Sequence, residues 1–282
     1  MEVVATREGF GTATSKARSE GARVGLVPTM GSLHRGHVSL LETAASDCDV
    51  VAMTIFVNPI QFSFAEDLAR YPSNLEQDIE LARVAGVGIV FAPSVSEMYP
   101  SGPPETRVDP GPLAGRLEGA SRPGHFAGVA TVVTKLLGIS GHCRAYFGEK
   151  DFQQLAVVRN VVRDLDLDAE IIGCPTIRES DGLACSSRNR RLESADRVAA
   201  TVLCKALEAG RARLEGGERG TEQVKNAMRV VVASEPRAKL DYAVVVDPVT
   251  FDPATSRAGE VRLLIAADLG GVRLIDNMGV RP

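Results

Sequence analysis

Residues 23–41 read RVGLVPTMGSLHRGHVSLL: an apolar run, a break at Pro28, Gly31 and Ser32, then two histidines separated by Arg35 and Gly36 at the front of a helical pattern. This predicts strand, tight turn, helix. Leu33, His37, Leu40 and Leu41 recur at helical spacing, and Ser32 is the N-cap expected just before the first turn. His34 and His37 then share one face of the helix entrance, beside backbone N–H groups that a helix start leaves unpaired. Such an arrangement suits an anion, phosphate above all. Gly36 places no side chain between the histidines, so a flat or bulky group can approach the backbone. A zinc pair is the rival reading, but the metalloprotease signature sets its histidines four apart with glutamate after the first, and here Arg35 follows His34.

Outward from this stretch the chain alternates. Residues 50–57, VVAMTIFV, form an apolar, β-branched run that fits a strand buried on both faces of a parallel sheet, and residues 87–92, 144–147 and 169–176 continue the series. Helices are expected over 73–85, 129–137 and 152–163. At the start, residues 2–6 read as a short strand and 12–20 as a polar surface helix. Gly9, Phe10 and Gly11 only superficially suggest a dinucleotide loop, because Thr14 stands where its third glycine belongs. The Pro- and Gly-rich residues 93–112 carry no helix signal and are expected to cross the surface or add a short strand. After residue 177 the order changes to helices (194–209, 221–233) followed by strands (240–246, 261–266, 272–275). The expected fold is therefore α/β: a Rossmann-like parallel-sheet domain over residues 1–176 and a smaller α+β domain over 177–282.

A chain of 282 residues that is 44% hydrophobic has ample material for such cores. The net charge of -4 gives no footprint for a polyanionic partner, so nucleic acid is not expected. Cys48, Cys143, Cys174, Cys185 and Cys204 are odd in number and never spaced C-x-x-C, which reads as reduced, intracellular thiols. The first residues show no basic segment leading into an apolar core, and no run reaches membrane length; a cytoplasmic protein is expected.

Ligands of an open parallel α/β sheet gather outside the carboxyl ends of its strands. The polar clusters fall there: the histidine pair after one strand, Asn58 and Gln61 after the next, Gly148, Lys150, Asp151 and Gln154 after a third, and Ser186, Ser187 and Arg188 after a fourth. The second of these loops also gathers Phe62, Phe64 and Tyr71 in a chain only 5% aromatic. Lys150 and Arg188 suit phosphate charge, and the serines offer donors. Arg190 and Arg191 are expected as ordinary surface charges. No G-x-x-x-x-G-K-[ST] loop and no G-x-S-x-G turn is present. The residues favour chemistry in which one substrate attacks another while the protein stabilises charge at phosphorus.

Five segments, VPTMGSLHRGH (27–37), IFVNPIQF (55–62), SRPGHFAGV (121–129), FGEKDFQQL (147–155) and DGLACSSRN (181–189), together resemble the pantothenate synthetases, the pantoate and β-alanine ligases among the H-x-G-H nucleotidyltransferases. The C-terminal third carries no comparable motif. The resemblance implies a homodimer with the second domain as a mobile lid, and a two-step reaction. Pantoate attacks the α-phosphate of Mg-ATP to give pantoyl adenylate and pyrophosphate, and β-alanine then displaces AMP. Carried onto matching positions, it implies that His34 and His37 bind ATP phosphates over a floor of Pro28, Thr29 and Met30, beside Gly36. Lys150, Ser186, Ser187 and Arg188 would grip phosphates, Gly148 and Asp151 the ribose side. Gln61 and Gln154 would hold pantoate, and Asn58, Arg122 and His125 would line the pantoate and β-alanine end.

Asp78 resembles an acidic position associated with magnesium in the family, although its neighbour Gln77 is no carboxylate; on physical grounds it reads as a surface helix residue. Cys185 departs from the usual methionine before the two serines. If a thioether packs on the base there, a thiol offers less contact area. The alternatives are an adenylyltransferase of the same superfamily with another acceptor, and a non-catalytic nucleotide-binding regulator.

Overall fold

The computed structural model describes residues 1–63, 65–218, 220–254 and 259–281, and it divides into two units, Met1–Pro175 and Thr176–Pro282. Phe64 lies outside the described residues.

The first unit is built on six parallel strands, β1 (Glu2–Val4), β2 (Val24–Thr29), β3 (Val50–Ile55), β4 (Ile89–Phe91), β5 (Cys143–Gly148) and β6 (Ala169–Cys174), in the spatial order β1-β4-β3-β2-β5-β6. Alternate residues of each inner strand feed two separate cores. Leu26, Ala52, Phe91, Ala145 and Phe147 face one, with Phe10, Val129 and Leu155 from the covering helices. Val27, Met53, Val90 and Tyr146 face the other, with Leu40, Leu41 and Ala82. Burial on both faces is why these strands read as continuous apolar runs. The order reverses between β2 and β5: β3 and β4 lie to one side of β2, β5 and β6 to the other. A crevice opens at the carboxyl ends of strands at such a reversal, because the chain leaves the two neighbours in opposite directions.

Two local expectations are corrected. The first helix spans Arg7–Ser19 and is no polar surface segment: Phe10, Thr14 and Ala17 are buried, and Phe10 stacks on Phe91 with ring centroids 4.7 Å apart. Thr6 caps it by accepting from Gly9 N at 3.1 Å, which draws the glycines into the first turn. The Arg7 amide and guanidinium also donate to Glu97 at 2.8 and 3.2 Å, and these bonds hold that carboxyl below its ordinary range. In the stretch 93–112, a short helix Val95–Met98 forms behind an N-cap at Ser94, where no helix was expected.

In the second unit, β7 (Ala238–Val246), β8 (Val261–Leu269) and β9 (Val272–Val280) form an antiparallel sheet in the order β7-β8-β9. Helices Val202–Glu215 and Thr221–Ala233 contribute Leu203, Leu207, Val224 and Met228 to its core with Leu263 and Ile265. This is the small α+β unit that the order of helices and strands implies.

Candidate active site

β2 ends at Thr29, and the chain must turn sharply to enter the next helix. Gly31 (φ 80°) and Ser32 (φ 53°) both take left-handed backbone, and the helix runs Arg35–Asp47 with His34, not Ser32, as its N-cap. Ser32 cannot cap because its backbone is used in the turn. Thr29 Oγ1 donates to Thr54 O at 2.6 Å and accepts from Gly31 N at 3.1 Å, tying the turn to β3.

The histidines cap each other. His34 Nδ1 accepts from Gly36 N at 3.1 Å, and His37 Nδ1 accepts from His34 N at 3.3 Å, with ring centroids 4.1 Å apart. A ring nitrogen that accepts a backbone N–H carries no proton, so each neutral imidazole holds its proton on Nε2. The helix entrance thus carries two Nε2–H groups, while the amides of Gly36, His37 and Val38 are bonded back to His34.

Asp78 is corrected from a surface helix residue: it is 2% exposed, and its carboxylate accepts from Ser32 N at 2.8 Å and Leu33 N at 2.7 Å. Two adjacent amides in a left-handed turn form an anion-binding concavity, which this side chain fills. Each carboxylate oxygen accepts one of these bonds, which gives Asp78 the role of holding the turn. Among the described residues no cluster of three or more His, Cys, Asp or Glu is placed to hold a metal ion.

After β3, the turn Pro59–Gln61 buries Asn58 and Gln61. Asn58 Nδ2 donates to Gln61 Oε1 at 3.0 Å and to Gly128 O at 3.1 Å, and Gln61 Nε2 donates to Met30 Sδ at 3.0 Å. Asn58 therefore acts on Gln61 rather than lining a surface. His125 begins the helix His125–Ser140, is itself buried, and has Nδ1 2.8 Å from Gln61 O. A carbonyl only accepts, so Nδ1 carries the proton here and Nε2 faces Arg122 Nη1 at 3.1 Å as an acceptor. The tautomer is opposite to that of His34 and His37, and it orients the Arg122 guanidinium. Phe62 and Tyr71 pack edge to face at 5.7 Å within the loop.

Gly128 lies on that helix directly against the turn; a Cβ there would stand 2.4 Å from Ile60 O and 2.6 Å from Gln61 Cα. Since both obstacles are backbone, Gly128→Ala must displace the turn. The expected cost is about 1–3 kcal/mol of stability, read as a lower urea midpoint of the full chain.

After β5, a single turn Glu149–Asp151 leads into the helix Phe152–Asp164. The Lys150 side chain is 16% exposed, with Nζ 3.4 Å from Asp151 Oδ1, and Gln154 on the first helical turn is half-buried. The neighbouring Gln153 serves structure instead, donating to Leu113 O and Arg116 O at 2.9 and 2.8 Å. The histidine pair and Lys150 thus follow β2 and β5, paired parallel strands, at the same edge of the sheet where the order reverses.

Ser186, Ser187 and Arg188 belong to the second unit. There a short hairpin, bridged Arg178 to Ala184, ends in a tight turn Ser187–Arg191 that Ser186 caps by accepting from Arg188 N at 3.3 Å. Arg178 holds the hairpin through a paired bond to the buried Asp276, at 2.6 and 3.0 Å. Cys185 is buried and donates its N–H to Ile177 O at 2.9 Å, so its backbone donor belongs to the hairpin. Arg190 is exposed, whereas Arg191 is half-buried.

The sequence model of the family described as pantoate-beta-alanine ligase matches residues 2–279. The chain belongs to that family. It is 54% identical over 262 residues to the pantothenate synthetase of Deinococcus radiodurans, covering 91% of this chain and 93% of the relative. Its identity to the pantothenate synthetase of Nocardia farcinica is 50% over 271 residues, covering 96% and 83% respectively. Pantothenate synthetase from Thermus thermophilus superposes with a TM-score of 0.94 at 45% identity over 100% of both chains. The pantoate-beta-alanine ligase from Francisella tularensis, solved complexed with beta-gamma ATP and beta-alanine, gives 0.82 at 36% identity, covering 99% of this chain and 97% of that one.

For a pantoate-beta-alanine ligase, the residues that sequence reasoning passed over are Gly128, Tyr99 and the buried side of Asp78. Gly128 had a signal, a glycine inside an otherwise apolar helix. Tyr99 had none: it ends a segment without periodicity, and its partner Asn58 is 41 positions away.

Proposed function

We propose that the carboxyl edge of the sheet, at the reversal between β2 and β5, is where this ligase forms a pantoyl adenylate. The ligase activity comes with the family: pantoate and β-alanine are joined at the expense of ATP, which leaves as AMP and pyrophosphate. The observation that carries the reading of the site is the histidine pair, two Nε2–H donors fixed at a helix N-terminus beside the strand that ends in Gly148 and leads into the turn carrying Lys150.

In the first half-reaction a pantoate carboxylate oxygen attacks the α-phosphorus and the bond to pyrophosphate breaks. Charge grows on the phosphate oxygens, and preorganised donors act most strongly on charge that develops in the transition state. His34, His37 and Lys150 take that role, with Pro28, Thr29, Met30 and Gly36 shaping the floor and Gly148 and Asp151 the ribose side. The same reading assigns Ser186, Ser187 and Arg188 of the second unit to the nucleotide phosphates. Gln61 and Gln154 hold pantoate, with Asn58, Arg122 and His125 behind them. In the second half-reaction the β-alanine amine attacks the acyl carbon and AMP leaves, so the protein supplies no nucleophile of its own.

Magnesium enters as part of the nucleotide substrate, held by phosphates and water as that ion prefers. Asp78 is assigned to the turn rather than to the ion, because each of its oxygens accepts a buried backbone N–H. A homodimer, a mobile second unit and a cytoplasmic location complete the reading. Among the described residues no helix is long and apolar enough to cross a membrane.

Labelled pyrophosphate is expected to exchange into ATP when pantoate is present and β-alanine is absent. Release of ADP during amide formation would overturn the adenylate route, and a stable dinucleotide product would point to a different acceptor.

A further inference from the structure

Tyr99 closes the short helix Val95–Met98 and is 5% exposed, yet it lies outside every segment that carries the family resemblance. Its hydroxyl donates to Asn58 Oδ1 at 2.8 Å. Asn58, 1% exposed, has its amide orientation set from both ends. Gly128 O, a carbonyl that can only accept, faces Nδ2 at 3.1 Å, while the phenol faces Oδ1. The other N–H of Asn58 reaches Gln61 Oε1 at 3.0 Å. Gln61 must then turn its own NH2 the other way, where its partner among the described residues is Met30 Sδ at 3.0 Å. A thioether is a weak acceptor, so this donor passes readily to a carboxylate or hydroxyl oxygen.

We infer that Tyr99 is a positioning residue for the acid subsite: through Asn58 it holds the Gln61 amide with its N–H donors, not its oxygen, presented to an acceptor oxygen of the acid. The inference rests on the assignment of Gln61 to pantoate made above. Burial pushes the Tyr99 phenol up to about 12, so it remains a donor at working pH. Lys135 lies over the ring, Nζ 5.6 Å from its centroid, and helps hold it in place. Without the hydroxyl, Asn58 Oδ1 becomes a buried acceptor lacking its donor, and the Asn58 and Gln61 amides lose the group that sets their orientation.

The test is steady-state kinetics of the full chain with each substrate varied in turn. Tyr99→Phe is expected to raise the KM for pantoate about 3–10-fold while kcat and the KM values for ATP and β-alanine stay within about twofold. Asn58→Asp, which replaces a donor by an acceptor, is expected to flip Gln61 and raise the pantoate KM about 10–100-fold. A pantoate KM unchanged in either variant overturns the inference. So does a parallel rise of all three KM values, which would mark Tyr99 as a general packing residue. If Tyr99→Phe does not fold, Asn58→Asp decides alone. Failure of the site assignment itself would look different, because the unmodified protein would then show no pantoate-dependent pyrophosphate exchange.

Discussion

His37→Ala is expected to slow pantoate-dependent exchange of pyrophosphate into ATP by about 10²–10³-fold, the range seen when one preorganised donor to developing charge is removed. The expectation follows from the direction of the proton. Because His37 Nδ1 accepts from His34 N, the ring is held with Nε2–H as its remaining donor at the mouth of the helix. Alanine removes that donor without adding charge or bulk, so binding of ground-state ATP should weaken far less than the rate falls. His34→Ala should reduce the rate similarly and also lower stability by about 1 kcal/mol, since His34 is the N-cap that accepts from Gly36 N. The two rings brace one another, so the double variant should lose less than the product of the single losses. Exchange within about threefold of the unmodified enzyme in His37→Ala would remove the imidazoles from the chemistry.

Much of this arrangement was legible in the sequence because of its periods. Strands buried on both faces announce themselves as apolar runs, and parallel strands place every following loop at one edge, so 27–37 and 147–155 could be assigned to one rim from the sequence alone. Three features were not legible, each for a definite reason. Gly9 and Gly11 lower helix propensity, and the burial of Phe10 against Phe91, with Thr14 and Ala17 and the Thr6 cap, outweighs them. Ser32 has the composition of an N-cap, but Gly31 and Ser32 are taken up by a left-handed turn held by Thr29 and, from a distant helix, by Asp78. Asn58 and Gln61 were recognisable as polar residues after a strand, but which end of each amide faces the ligand depends on Tyr99 and Gly128, brought there from distant segments. Periodicity reports burial and face; it carries no information on the direction of a side-chain dipole.

Asp78→Ala is expected to lower the stability of the folded chain by roughly 2–6 kcal/mol, because it leaves two buried N–H groups without their acceptor at about 1–3 kcal/mol each. That is a large share of the ~5–15 kcal/mol that holds a typical domain together. The effect should reach the chemistry as well. Ser32 is a non-glycine residue at φ 53°, a conformation that costs about 1–2 kcal/mol and persists only where surroundings enforce it. The carboxylate enforces it through Ser32 N and Leu33 N, and Leu33, 1% exposed, leads directly into the His34 cap. Loosening the turn therefore moves both imidazoles relative to the strand end. Asp78→Asn, which keeps one acceptor and turns an NH2 toward the second amide, should fall between alanine and the unmodified chain in urea midpoint and in exchange rate together. The magnesium reading of Asp78 makes the contrary forecast: an unchanged midpoint, within about 0.5 kcal/mol, with the magnesium concentration for half-maximal exchange raised in both variants. The two outcomes separate cleanly, since a backbone clamp acts on folding whether or not nucleotide is present, and a metal ligand acts only when it is.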